Sequence, residues 1–224
     1  MDHVLIVSAH PDDLIACCGL AFLLKNKVAF HLIDFTGGER GLLSDGISME
    51  ETAAIRRKEE ERACALLDIN PRFLGEIDGE AFAGRQSCEK LSAVISSLNP
   101  VAIMTHWPLD VHPDHVITAA ATLKALQMAA LQPEVLLFEA PFQSKGFLPD
   151  FHVDISTVFA SKLELIRCYE CQNRNDELVE SQTWDARFRG SRCRCRYAES
   201  YSHYFPERPG FVSVLAEYCR NPRG

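Results

Sequence analysis

The 224-residue chain has no apolar run long enough to cross a bilayer. Its longest strongly apolar stretch, Ile15 to Leu24, falls well short of the ~20 residues a spanning helix needs. Runs of basic residues are also missing. Lys and Arg total 23 against 31 Asp and Glu, for a net charge of -8. That balance excludes nucleic acid and anionic membrane as general partners. Only the concentration of arginine from Arg187 to Arg196 departs from it. Met1-Asp2-His3 leads directly into an apolar strand, with no basic n-region and no cleavage site, so a cytoplasmic protein is expected. No internal repeat or low-complexity linker divides the sequence. Its 47% hydrophobic content suffices for one α/β domain over residues 1–224.

Cysteine, in contrast, is plentiful. Nine residues are an odd number for a disulfide framework, and without an export signal they are expected to be reduced. Cys17, Cys18 and Cys64 lie in apolar helical stretches, where a thiol acts as a small hydrophobe. Cys168-x-x-Cys171 and Cys193-x-Cys195 could form a structural zinc site, though their spacing fits loosely. The plainer reading places the first pair on a helix and the second in an arginine-rich strand or loop.

The most informative feature is a repeated tripeptide. Ala9-His10-Pro11-Asp12-Asp13 and Asp110-Val111-His112-Pro113-Asp114-His115 both contain His-Pro-Asp, and in both the outer residues stand three apart, as on one face of a helical turn. Brought together, the two turns offer His10, Asp13 and His115 as metal ligands. Three N/O ligands with an open position make a catalytic zinc site, although ferrous iron or another divalent ion suits the same donors. Asp12, His112 and Asp114 remain for hydrolytic chemistry. Asp12 can accept a proton from the zinc-bound water, or cap the following helix. His112 as an imidazolium can stabilise an oxyanion, with Asp114 holding the ring charged. The plainer reading of that pair is a helix start.

Strand and helix alternate along the chain. Strands are expected at Val4–Ser8, Val28–Phe35, Phe73–Glu76, Val101–Thr105 and Val135–Phe138. Helices are expected at Leu14–Lys25, from the Ser48-x-x-Glu51 capping box to about Leu67, at Glu89–Leu98, Pro113–Ala130 and Thr157–Cys171. Ile55, Ala63 and Leu66 or Leu67 should face inward on the second helix. Asn173 to Arg196 reads as partly irregular. The alternation predicts a Rossmann-like, mostly parallel sheet with helices on both faces, with ligands beyond the strand carboxyl ends, where both motifs fall. Glu39, in the loop Thr36-Gly37-Gly38-Glu39-Arg40-Gly41, is a candidate substrate contact. So is Arg56, whose plainer reading is a solvated pair with Glu59. His106 and Trp107 either wall the pocket or end the strand.

These motifs resemble those of the LmbE-like, or PIG-L, family of zinc-dependent N-acetylglucosaminyl deacetylases. Ala9 to Asp13 and His112 to His115 match its two signatures, and Phe35 to Gly41 resembles its Thr-x-Gly-Glu-x-Gly loop. Arg56, Glu59, Ala63 and Leu67 fit its Arg-x-x-Glu helix. Pro149 to Ser156, Lys162, Gln172 and Tyr197 to Tyr201 resemble the bacillithiol-pathway branch, which acts on a malate conjugate. The resemblance implies removal of an N-acetyl group from a small glucosamine derivative, with zinc on His10, Asp13 and His115. It gives acid/base work to Asp12, oxyanion stabilisation to His112 oriented by Asp114, substrate contact to Arg56, and a homo-oligomeric state. Departures are Leu14-Ile15 where the family has Glu, Cys17 and Leu20 in place of glycines, and Val111 where the bacillithiol branch has Arg. Two other readings are a metal-dependent phosphoesterase, which would need a second metal, and a non-catalytic sugar-binding protein on the same fold.

Overall fold

The computed structural model describes residues 1–205 and 210–220. Seven strands form one sheet in the order β3-β2-β1-β4-β5-β7-β6. They are β1 (Asp2–Ser8), β2 (Val28–Thr36), β3 (Arg72–Glu76), β4 (Ala102–His106), β5 (Glu134–Phe138), β6 (Phe151–Asp154) and β7 (Ala198–His203). The first five are parallel, and β7 runs antiparallel to both β5 and β6. The α/β architecture expected from the alternation is therefore present, with two antiparallel additions at one edge.

Parallel strands covered on both faces read as near-continuous apolar runs, and Val4 to Val7 of β1 form one. Val4 and Ile6 point into one core with α1 (Cys18–Leu24), the end of α2 (Met49–Ala65), α5 (Phe159–Ile166) and α7 (Val214–Arg220). Leu5 and Val7 point into the other, against Leu91 and Ile95 of α3 (Arg85–Leu98) and Ala125 and Leu126 of α4 (Pro113–Ala129). Cys17, Cys18 and Cys64 are buried as expected. Among the described residues, no helix is long and apolar enough to cross a membrane.

Several local expectations change. The α2 capping box forms, with the Glu51 N–H donating to Ser48 Oγ. Yet Ile55 is exposed, and the buried face of α2 carries Arg56, Glu59 and Glu60 beside Ala63 and Cys64. A helix expected to bury aliphatics thus turns charge inward, toward the strand ends. The first helix is split: a 3-10 turn at Asp13–Ala16 precedes α1. The helix expected over Thr157–Cys171 is shorter, and Asn173–Arg196 is mostly the 17-residue helix α6 (Glu177–Cys193). Cys168 and Cys171 lie beyond α5; Cys193 ends α6, and its Sγ is 3.4 Å from Cys195 Sγ. Cysteine belongs to none of the potential metal clusters among the described residues.

Candidate metal centre and active site

Strand β1 is flanked by β2 on one side and β4 on the other, so successive crossovers leave it in opposite directions. The crevice at such a reversal is where open α/β sheets bind ligands. The first His-Pro-Asp turn leaves the end of β1 and the second follows β4. They meet there. The Ala9 N–H at the end of β1 donates to His106 Nε2 at the end of β4 over 3.0 Å.

The first turn is folded by Asp13. Its Oδ2 accepts the backbone N–H of His10 at 2.8 Å and lies 3.5 Å from His10 Nδ1, while Oδ1 is 3.5 Å from His115 Nε2. Asp13 thus reaches both His10 and His115. His115 has its other ring nitrogen, Nδ1, 3.2 Å from Asp110 Oδ1. A carboxylate behind one imidazole nitrogen is the usual device for turning the other toward a metal. Three overlapping groups have ligand atoms within 4.8 Å of one another: His10, His112 and His115; Asp13, His106 and His115; and His10, Asp78 and Asp114. None contains all three of His10, Asp13 and His115, so the local choice of donors is wider than the spacing implied.

The charges within this cluster are tightly coupled. Burial opposes charge on His10, yet hydrogen bonds to Asp114, Asp13 and Asp78 outweigh it and hold its pKa well above the ordinary value. Burial likewise opposes ionisation of Asp13, but the charge of His115 and the hydrogen bond to His10 hold its pKa well below the ordinary value. A buried, mixed imidazole and carboxylate set with a carboxylate behind His115 fits zinc or ferrous iron.

Asp12 has a backbone φ of 110°, a conformation that costs a non-glycine residue about 1–3 kcal/mol unless its surroundings enforce it. Helix α2 supplies the enforcement. Glu60 Oε2 accepts the Asp12 N–H at 3.0 Å, and Arg56 donates to Asp12 Oδ1 at 2.8 Å and to the Pro11 carbonyl. Burial raises the Asp12 pKa to about 6, against the lowering influence of Arg56. Arg56 is therefore not the solvated side chain of the plainer reading. It is buried, and its visible partners are the turn and the Gly38 carbonyl.

Expectations for the second turn need one correction. Asp114 does not turn its carboxylate to His112. Oδ2 accepts the Gly79 N–H at 2.6 Å and lies 3.2 Å from His10 Nε2. His112 is the N-cap of α4, and its Nδ1 accepts the Asp114 N–H at 3.3 Å. Burial, with the charges of His10 and His115, lowers the His112 pKa and so works against an imidazolium there. The helix-start reading and the cavity-lining position coexist.

A cavity of about 370 Å³ opens over this cluster, lined among others by Asp12, Asp13, His10, His112 and His115, with Arg40, Gly41, Arg56, Asp78, Gln143 and Gln172. Glu39 is not on its wall. Its carboxylate accepts the N–H groups of Gly37 and Asp78 and braces the loop. Asp78, Asp110 and Glu60 were not anticipated. Asp78 follows β3 as His10 follows β1, so the strand-end rule alone would have found it. His106, foreseen as a pocket wall or strand end, is a buried neutral ring whose pKa burial lowers to about 4.

The fold and cluster define a doubly wound α/β protein with a His/Asp centre at its switch point. The family model described as "PIG-L: GlcNAc-PI de-N-acetylase" matches residues 5–126, which contain both turns, and the chain belongs to this family. It is 34% identical over 140 residues to "Probable N-acetyl-alpha-D-glucosaminyl L-malate deacetylase 2" of Bacillus anthracis, covering 55% of this chain and 59% of that protein. It is 30% identical over 192 residues to "Diacetylchitobiose deacetylase" of Thermococcus kodakarensis, covering 77% and 71%. The solved structure of N,N'-diacetylchitobiose deacetylase from Pyrococcus horikoshii, complexed with its inhibitor MPG, superposes with a TM-score of 0.80 at 25% identity over 94% of this chain and 88% of that one.

Proposed function

We propose that the protein is a metal-dependent amidohydrolase that removes the N-acetyl group from a small N-acetylglucosamine derivative. The observation that carries this reading is Asp12, strained at φ 110° and held by Arg56 and Glu60 beside His10, Asp13 and His115. The family membership and the relatives' names support the substrate class.

His10, Asp13 and His115 would hold the divalent ion, zinc by preference. When bound, such an ion lowers the pKa of water and polarises an acyl oxygen. Asp12 takes the proton from the attacking water and returns it to the departing amine. His112 contributes as a neutral ring. With Nδ1 accepting the Asp114 N–H, the ring proton sits on Nε2, available to a developing oxyanion. Asp114 holds His10 and Gly79, and Arg56 fixes the direction of the Asp12 carboxylate.

Both malate-conjugate and chitobiose deacetylases are among the relatives, so the aglycone is open to direct comparison. Val111, where the bacillithiol branch has Arg, is exposed, and Arg56 is committed to Asp12. The malate carboxylate therefore gains little here. The test is a panel of N-acetylglucosaminides with different aglycones, offered to metal-loaded protein, with acetate and free amine measured together. Equimolar release, lost in a metal-retaining Asp12→Asn variant, is expected. No amine from any member would overturn the reading, and two metals per chain with phosphate-ester turnover would replace it by a phosphoesterase.

A further inference from the structure

Beside the cavity mouth lies an apolar surface that the chemistry above does not use. Two loops are zipped together there: Val111 N donates to the Gln143 carbonyl at 3.2 Å, Lys145 N to the Leu109 carbonyl at 2.7 Å, and Trp107 Nε1 to the Lys145 carbonyl at 2.8 Å. On the inner side, His112 and Gln143 line the cavity. On the outer side, their chain neighbours Val111 and Phe142 are 56% and 69% exposed. Phe142 sits at φ 67°, uncommon for a bulky residue, with its ring 5.3 Å from that of Trp184. Trp184 and Phe188, one turn apart on α6, are stacked with their planes nearly parallel at 7° and centroids 5.5 Å apart, and both are exposed. Single exposed hydrophobics are ordinary, but a contiguous patch continuous with a pocket marks a ligand-binding surface. A cation at its edge is already committed. Arg189 pairs with Glu139 and Asp185 and lies over the rings of Phe147 and Phe188.

We infer that Val111, Phe142, Trp184 and Phe188 form the aglycone subsite of the cavity, and that it takes an aromatic or otherwise apolar substituent on the amino sugar. The inference rests on the reading of the cavity as an N-acetylglucosaminide site. A sugar seated at His112 projects its substituent past Val111, one residue away, onto the Phe142 and Trp184 faces. Flat aromatic faces bind rings and alkyl chains by area and stacking, and offer a malate carboxylate no partner. The patch joins the cavity lining directly through Val111–His112 and Phe142–Gln143, which makes the substrate its occupant.

The test compares phenyl and methyl N-acetylglucosaminide as substrates for wild-type and Trp184→Ala protein. The phenyl glycoside should have a kcat/KM about tenfold higher, carried by KM, and Trp184→Ala should remove that advantage while leaving the methyl glycoside unchanged. An equal kcat/KM for both glycosides, or an advantage that survives Trp184→Ala, overturns the subsite. If neither substrate yields amine, binding tests the subsite by itself. The chain has two tryptophans. Phenyl but not methyl glycoside should then shift the emission of Trp184 to shorter wavelength, and an unchanged spectrum overturns the inference. A Trp184→Ala variant that changes oligomeric state but not the phenyl preference assigns the surface to a second copy instead.

Discussion

At the end of β1, His10-Pro11-Asp12 departs with Asp12 at φ 110° and enters a 3-10 turn, and no side chain caps that turn. After β4, His112-Pro113-Asp114 enters α4 with Pro113 in the first turn and the His112 ring as cap. The tripeptide is the same, but the backbones differ. The first turn depends on outside support, from Glu60 and Arg56 on α2, while the second supports itself. A motif therefore fixes which donors are present, and the surrounding helices fix what each can do. Asp12 becomes a carboxylate held at the cavity wall by Arg56, and its counterpart Asp114 becomes a brace for His10 and Gly79.

If that contrast is right, conservative changes at the two turns have very different effects. Asp12→Asn keeps the side-chain shape and tolerates the left-handed backbone, so the metal should stay while kcat falls by roughly 10²–10⁴-fold, read by steady-state kinetics with metal analysis. Arg56→Lys retains charge but loses the planar fork that spans Asp12 Oδ1 and the Pro11 and Gly38 carbonyls. We expect kcat to drop on the order of tenfold with KM nearly unchanged, since the loss concerns how Asp12 is held. A change confined to KM would return Arg56 to the substrate. At the second turn, Pro113→Ala alters only a regular helix start, and denaturation should show a loss of ~0.4–1 kcal/mol with activity kept.

Much of this was legible in the residues, and the exceptions have physical causes. Strands β1 to β5 and helices α2, α3 and α4 follow from apolar runs, a capping box and Pro113. The C-terminal edge does not. Glu199 in β7 is buried because its carboxylate accepts the N–H groups of Gly19 and Leu20, pairs with Lys162 and takes the Tyr201 hydroxyl. A strand whose inward residue is a satisfied carboxylate carries no apolar alternation to read. Helix α6 buries Gln182, Ala186 and Gly190, a stripe of polar and small residues. A β-carbon at Gly190 would meet the Cys195 carbonyl oxygen at 2.7 Å, so close approach replaces apolar bulk there. In the site, the spacing within each turn brought out His10, Asp13 and His115. Glu60 and Asp110 stayed hidden because a carboxylate that braces backbone or ring from behind has no spacing rule of its own.

Metal content tests the central claim most directly, since everything above depends on one divalent ion held between the two turns. Purified protein should contain one zinc or iron per chain, His115→Ala should lose it while keeping its circular dichroism spectrum, and Asp12→Asn should retain it. Unchanged stoichiometry in a folded His115→Ala variant would contradict the account.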